Sequence, residues 1–267
     1  MSVTLGENVK KKEEGMVNML QVEHLSYDVQ EEGRQSEILS DISFSVNPGE
    51  MLVITGPNGG GKSTLAKILM GINQPTEGKI LLNGKEITNL SIDERAKAGI
   101  GFAFQQPPRF KGMTVRRLLH LAAGRTLSEE ECCNLLSSVG LCAMEYIDRD
   151  ADATLSGGEM KRIEIATVLA KHHDICIFDE PEAGIDLWSF SMLIKRFEQI
   201  HKDKKESLIL ISHQERIIQM ADRIMVISDG KVESVGEAKA IMPQLFGEEV
   251  QACACRQQKG GSLCGVE

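Results

Sequence analysis

The chain has 267 residues, 42% of them apolar and 26% charged, which fits a folded globular protein and excludes a fibrous or largely disordered one. Thirty Lys and Arg against 39 Asp and Glu give a formal net charge of −9, the wrong sign for broad nucleic-acid binding. The longest apolar runs, such as Leu208 to Ile211, fall far short of the ~20 residues that a spanning helix needs, so direct membrane insertion is not expected.

Residues 1–18 are polar and charged and read as a loose tail, with Met1, Met16 and Met19 each able to begin the chain. No apolar segment of signal-peptide length follows the charged stretch Lys10 to Glu14, which leads to a cytoplasmic expectation. From Leu20 the chain reads as short strands: Ile42 to Val46 alternates with period two, and Leu52 to Ile54 is an apolar run suited to a buried strand. A glycine-rich loop and a helix from Lys62 to Met70 follow, then a strand Lys79 to Leu82 closed by the turn Asn83-Gly84. Between Pro107 and about Thr154 the pattern is helical. Thr114 caps a helix running to Gly124, and Ser128 with Glu131 forms a capping box ahead of Leu135, Leu136 and Val139. Beyond it come a helix from Gly158 to Lys171, a strand Ile175 to Phe178, a helix carrying Phe190, Leu193, Ile194 and Phe197, and strands Leu208 to Ile211 and Ile224 to Ile227. This alternation predicts a largely parallel sheet covered by helices on both faces, with ligands at the carboxyl ends of its strands. Residues 250–267 read as a second tail.

Two features carry chemistry. Gly56-Pro57-Asn58-Gly59-Gly60-Gly61-Lys62-Ser63 fills the phosphate-loop pattern G-x-x-x-x-G-K-S between a predicted strand and a predicted helix, the context the motif requires. Its glycines let successive N–H groups turn inward, and the following helix adds partial positive charge. Lys62 is expected to reach the β- and γ-phosphates and the Ser63 hydroxyl to bind Mg²⁺. About 115 residues on, the apolar strand Ile175 to Phe178 ends in Asp179-Glu180. An acid there can hold Mg²⁺ through its water shell, the role assigned to Asp179, while Glu180 orients or deprotonates the attacking water. Alone, the first could be a glycine-rich turn and the second a solvated acidic one; together they point to nucleotide hydrolysis.

Leu155-Ser156-Gly157-Gly158-Glu159, ahead of a helix, resembles the signature motif of ATP-binding-cassette ATPases, and the resemblance covers roughly residues 20 to 240. It implies an α/β fold of the ABC-type P-loop ATPases, with a mixed, largely parallel sheet, an N-terminal antiparallel β region, and a helical subdomain at about 106–156 inserted in a domain of 19–249. Tyr27 resembles the aromatic residue that stacks on adenine. Gln105, in preference to Gln106, resembles the glutamine joining the Mg²⁺ site to the helical insertion. Ala183-Gly184-Ile185-Asp186 stands where the family has its D-loop, and His213 where it has a histidine sensing the γ-phosphate. Ser156, Gly157 and Gly158 at a helix start make an anion site with no phosphate loop beside them in sequence. In the family that site closes over the nucleotide of a second subunit, so a head-to-tail dimer with two sandwiched ATP molecules is implied. ATP is then held by Gly56 to Thr64, which are Gly56, Pro57, Asn58, Gly59, Gly60, Gly61, Lys62, Ser63 and Thr64, with Tyr27, Gln105, Ser156, Gly157, Gly158 and Asp186. Mg²⁺ falls to Ser63, Gln105 and Asp179, and catalysis to Lys62, Glu180 and His213.

Several residues depart from the commonest transporter pattern: Glu159-Met160-Lys161-Arg162-Ile163-Glu164-Ile165 after the signature, Phe102-Ala103-Phe104-Gln105 ahead of prolines, and Glu182 where transporters usually carry Thr. These resemble the SufC ATPases of SUF iron–sulfur cluster assembly, most of all the SufC-like proteins of anaerobes that work with a single SufB-type scaffold. The implied partner is a SufB-like scaffold. The alternatives are the ATPase subunit of a membrane importer and a nucleotide-gated binding module whose hydrolysis is incidental. Arg109 to Leu119 is the stretch expected to transmit nucleotide state to a partner, and its Arg116-Arg117 pair is read as a solvated helix face or a contact for an acidic surface.

The seven Cys are read as thiols rather than a disulfide framework. Cys253, Cys255 and Cys264 lack a fourth ligand for zinc unless Glu267 or a partner supplies one, and incidental cysteines in a tail are the preferred reading. Cys132, Cys133, Cys142 and Cys176 are expected to pack as small apolar residues, as are Trp188 and the methionines. His172-His173 is expected at a helix C-terminus that favours a proton.

Overall fold

The computed structural model describes residues 18–31 and 34–247; Cys253, Cys255 and Cys264 lie outside the described residues. Two sheets form its frame. Strands β1 (Leu20–Glu31), β2 (Arg34–Val46), β4 (Glu77–Leu82) and β5 (Lys85–Glu86) make an antiparallel sheet in the order β2-β1-β4-β5. Strands β3 (Met51–Thr55), β6 (Ile100–Ala103), β7 (Ile175–Asp179), β8 (Ser207–Ile211), β9 (Arg223–Ser228) and β10 (Lys231–Glu237) make the second, ordered β10-β9-β3-β8-β7-β6. Its inner pairs are parallel and only β10 runs antiparallel, at the edge. This is the mixed, largely parallel sheet with an antiparallel N-terminal region expected from the sequence.

The apolar runs exist because the pleat feeds two cores at once. Met51, Val53, Cys176, Phe178, Leu208 and Leu210 point into one core, with the helical stretch of the chain. Leu52, Ile54, Ile175, Ile177, Ile209 and Ile211 point into the other, beneath the antiparallel sheet. Helix α1 (Lys62–Met70) belongs to this second core, as does the region around α2 (Ile92–Lys97). Between β6 and β7 come α3 (Val115–Ala123), α4 (Glu129–Ser138), α5 (Ala143–Tyr146) and α6 (Gly157–Leu169), and after β7 come α7 (Leu187–Asp203), α8 (Glu215–Ile218) and α9 (Ala238–Gly247). The side chain of Thr114 caps α3, and capping boxes Ser128–Glu131 and Ser156–Glu159 begin α4 and α6. Among the described residues no helix is long and apolar enough to cross a membrane.

One buried cation organises the base of the phosphate-loop helix. Arg95 on α2 has no exposed surface and donates to the carbonyl oxygens of Ile68 (2.6 Å), Leu69 (2.9 Å), Thr88 (2.6 Å) and Leu90 (3.1 Å). Ile68 and Leu69 lie in the last turn of α1, whose carbonyls have no partner within the helix. Arg95 thus adds to the left-handed Gly71 cap, whose N–H bonds the Ile68 carbonyl, and reaches the Leu69 carbonyl as well.

Four expectations are corrected. Cys132 and Cys176 are buried, but Cys133 and Cys142 are exposed, because one faces outward from α4 and the other precedes the short α5. Trp188 is 85% exposed at the start of α7 rather than packed. Helix α6 stops at Leu169, so His172 and His173 lie past its dipole; His172 bonds Glu206 at 2.7 Å, and burial holds the His173 imidazole below its ordinary pKa. Arg116 is not free to meet a partner, since it pairs with Asp148 at 2.9 Å and with Glu129, leaving Arg117 as the exposed member.

Candidate active site

Topology sets the site. The register places Asp179 beside Ile211 and Ile54 beside Ile211, so β3, β7 and β8 end together at the carboxyl edge of the sheet, with β6 next to β7. Four connections leave that edge: the phosphate loop after β3, Gln105 after β6, Glu180 after β7 and His213 after β8. The loop begins at Gly56, where a Cβ would sit 2.1 Å from the carbonyl oxygen of Ile227, so no other residue fits. It ends at Gly61, the N-cap of α1, which offers no side-chain cap. The first-turn N–H groups of α1 are therefore left for an anion.

These parts enclose a cleft of about 440 Å³. It brings Asn58, Gly59, Gly61, Lys62, Ser63 and Thr64 together with Gln105, Glu180 and His213. Lys62 Nζ donates to the carbonyl oxygens of Gly56 at 2.7 Å and Pro57 at 2.8 Å. Burial lowers its pKa, opposed by the charges of Glu180 and Asp179. Ser63 Oγ donates to Asp179 Oδ1 at 3.1 Å, and burial pushes the Asp179 carboxyl above its ordinary range. Gln105 Nε2 donates to Glu180 Oε2 at 2.9 Å, which distinguishes it from Gln106. Glu180 itself has φ +45°, a left-handed backbone that L side chains adopt only when the surroundings impose it. Its N–H bonds the Ile211 carbonyl at 3.0 Å, so the strained turn is pinned to β8. Partial burial and the Lys62 charge hold His213 below its ordinary pKa, leaving a neutral imidazole at pH 7.

Other expected residues stand elsewhere. Ser156 and Gly157 are exposed at the start of α6 and do not line the cleft; Ser156 Oγ accepts from Glu159 N at 3.2 Å. Gly158 packs on the D-loop, where a Cβ would meet the Gly184 oxygen at 2.2 Å. The Asp186 carboxylate caps α7 by accepting from Trp188 N and Ser189 N, each at 3.0 Å. Tyr27 is half-buried against the core under the antiparallel sheet, and the apolar wall of the cleft is Ile38 instead.

Sequence reasoning noted Lys161, Glu164 and Glu182 only as departures from the family pattern and missed that they pack around the site, the first two buried and Glu182 partly so. The signal was a Lys and a Glu three residues apart on α6 amid buried Met160, Ile163, Ile165 and Ala166. Glu182 accepts from Ser212 Oγ at 2.6 Å, and burial raises its pKa. A larger cleft, about 500 Å³, lies at the opposite end of the sheet by Glu50, Lys204, Asp222 and Arg223. Four of its charged side chains pair with one another, Asp222 with Lys204 at 3.1 Å and Arg223 with Glu50 at 3.1 Å, and it carries none of the phosphate-loop residues, so the smaller cleft is the chemical one.

Fold and cleft together define a P-loop ATPase of the ATP-binding-cassette architecture. The family model described as ABC transporter matches residues 39–183, and the chain belongs to that family. It is 40% identical to the uncharacterized ABC transporter ATP-binding protein MJ0035 of Methanocaldococcus jannaschii, over 81% of this chain and 89% of that protein. It is 33% identical to the energy-coupling factor transporter ATP-binding protein EcfA2 of Caldanaerobacter subterraneus, over 83% of this chain and 80% of that one. In fold it matches the dimeric post-hydrolysis structure of the ATP-binding cassette MJ0796 bound to ADP and Pi, with TM-score 0.75 and 22% identity over 82% of this chain and 99% of that one. This chain is accordingly an ATP-hydrolysing enzyme that uses Mg²⁺. These names are those of transporter ATPases, and the SufC resemblance rests on the motif departures alone.

Proposed function

We propose that the chain is the cytoplasmic ATPase subunit of an ABC transporter-type complex, closing as an ATP-bound homodimer to drive a separate partner chain. The observation that carries it is the cleft at the carboxyl edge, where free helix N–H groups, Lys62, the Ser63–Asp179 bond and the Gln105–Glu180 bond converge. Loop amides bind the phosphates, and Lys62 turns from two backbone carbonyls to the β- and γ-phosphates. Ser63 hydroxyl, Gln105 amide oxygen and Asp179 carboxylate form an oxygen-only donor set that fits Mg²⁺, which takes few carboxylates and completes its shell with water and phosphate. When bound, the ion neutralises charge on the β- and γ-phosphate oxygens. Glu180, held by Gln105, orients the attacking water and accepts its proton, and neutral His213 donates to the γ-phosphate.

Support for the dimer comes from Ser156 and Gly157, exposed and away from their own cleft, with nothing within 4 Å of where a Gly157 Cβ would stand. Support for partner docking comes from an apolar groove of about 180 Å³ just past Gln105, walled by Phe102, Phe104, Phe110, Leu118 and Met160. Phe110 and Leu118 belong to the stretch Arg109 to Leu119 singled out in the sequence. Glu180→Gln tests the reading: turnover is abolished and an ATP-bound dimer accumulates in size-exclusion chromatography. Full hydrolysis by this variant removes Glu180 as base.

A SufB-like scaffold is the second reading, favoured by Lys161, Glu164 and Glu182, residues that depart from the usual transporter pattern and are built into the site. Copurification separates the two. A detergent-dependent membrane partner supports the transporter reading, and a soluble scaffold supports the second.

A further inference from the structure

The inner face of α6 carries an ion pair that the mechanism above does not use. Lys161 and Glu164 side chains are 1% and 7% exposed, with Nζ and Oε2 3.8 Å apart. Burying two charges costs several kcal/mol each, and apolar replacements of such pairs are commonly neutral or stabilising. The pair is therefore not explained by stability. Its hydrogen bonds go elsewhere, to the backbone of the two strand ends that matter. Glu164 Oε1 accepts from Phe104 N at 2.9 Å, fixing the Ala103–Phe104 peptide one residue ahead of Gln105. Lys161 Nζ donates to the Phe104 carbonyl and, at 2.9 Å, to the carbonyl of Asp179. Glu164 Oε2 has no hydrogen-bond partner, so the carboxylate is committed to that one peptide and to Lys161.

We propose that Lys161 and Glu164 are positioning residues for the metal side of the ATP site, holding Gln105 and Asp179 in register on the same helix that carries the signature glycines. This rests on the reading of Gln105, Asp179 and Ser63 as the metal side. The helix makes the link rigid: Ser156 and Glu164 are eight residues apart, about 12 Å along the axis. A displacement of the signature corner is then shared by the two groups that flank the Mg²⁺ position.

The test measures binding of a non-hydrolysable ATP analogue by calorimetry across a Mg²⁺ series, beside thermal unfolding. The double variant Lys161→Met/Glu164→Leu leaves no orphan charge but removes these partners of the Phe104 N–H and of the Phe104 and Asp179 carbonyls, so its unfolding midpoint falls by about 10 °C at most. Its half-saturating Mg²⁺ concentration rises about tenfold, the usual effect of losing an outer-shell contact, while metal-free binding stays within about twofold. Glu164→Gln keeps an acceptor for Phe104 N–H and falls between the two, so it reads the hydrogen bond even where the double variant fails to fold. An unchanged Mg²⁺ dependence in either variant, an equal loss with and without metal, or a Glu164→Gln variant as impaired as the double variant overturns the proposal. Ser63→Ala is the control: if it leaves Mg²⁺ dependence untouched, the metal-side reading itself falls.

Discussion

Two adjacent glycines on α6 separate contacts inside one chain from contacts between two. A Cβ on Gly158 meets the Gly184 oxygen at 2.2 Å and the Gly184 carbon at 3.1 Å, both backbone atoms that no rotamer change can move. Ordinary contact begins at 3.4 Å, so relieving the overlap takes about 1 Å of movement, a misplacement worth on the order of 10²-fold in rate. Gly158→Ala is thus expected to fold with its D-loop displaced and to lose about two orders of magnitude in kcat. Gly157→Ala meets nothing within 4 Å, so the single chain keeps its structure and its ATP affinity. Any loss of hydrolysis there must come from a neighbour's nucleotide entering the open space. Steady-state ATPase rates over a range of protein concentration, with ATP affinity measured in parallel, distinguish the two. A Gly158→Ala enzyme at full rate refutes the intrachain reasoning, and a Gly157→Ala enzyme at full rate refutes the shared site.

Three further outcomes are expected. Arg95→Met leaves the Leu69, Thr88 and Leu90 carbonyls without this donor, Ile68 keeping the Gly71 N–H, and at ~1 kcal/mol for each buried group left unpaired the loss is about 3 kcal/mol, or on the order of 10 °C in melting temperature; calorimetry showing no shift removes Arg95 as a support of the end of α1. Lys62→Ala weakens ATP binding about 10- to 100-fold, the worth of one charged hydrogen bond, and unchanged affinity by calorimetry counts against the loop assignment. Burial pushes the Glu164 carboxyl from its ordinary 4.5 up to about 7, against the pull of Lys161. The native state then keeps a proton that the unfolded state has lost, so this contribution to stability is complete below about pH 4.5 and is lost as pH rises through about 7. Urea unfolding at pH 5 and pH 7.5 should show that slope in the unaltered protein and not in Glu164→Gln; identical slopes contradict it.

What was legible in the chain was local. The phosphate loop needs only contiguous glycines, a Lys and a Ser between a strand and a helix, and α1 runs over the expected residues, Lys62–Met70. The capping box at Ser128 was legible for the same reason, since its partner Glu131 lies three residues on. What escaped depends on distant packing. Lys161 and Glu164 have the i,i+3 spacing of an ordinary surface pair, and only the strands behind α6 turn them inward. Arg95 follows a solvent-facing capping box at Ser91 and Glu94, which gives no hint that its own side chain is buried under α1. Tyr27 and Ile38 lie on neighbouring strands, and the twist and bulges of β1 decide which of them reaches the cleft. His172-His173 was misread because α6 ends two residues earlier than the expected Lys171.

The indole of Trp188, the chain's one tryptophan, is 85% exposed two residues past Asp186. Its fluorescence in the isolated subunit therefore comes from a single chromophore in water, red-shifted and open to a dissolved quencher. Anything that settles on this corner, a second subunit included, moves the emission to the blue and shields it. The molecule carries an intrinsic optical gauge beside its D-loop, so nucleotide-driven association can be timed by stopped flow without attaching a label.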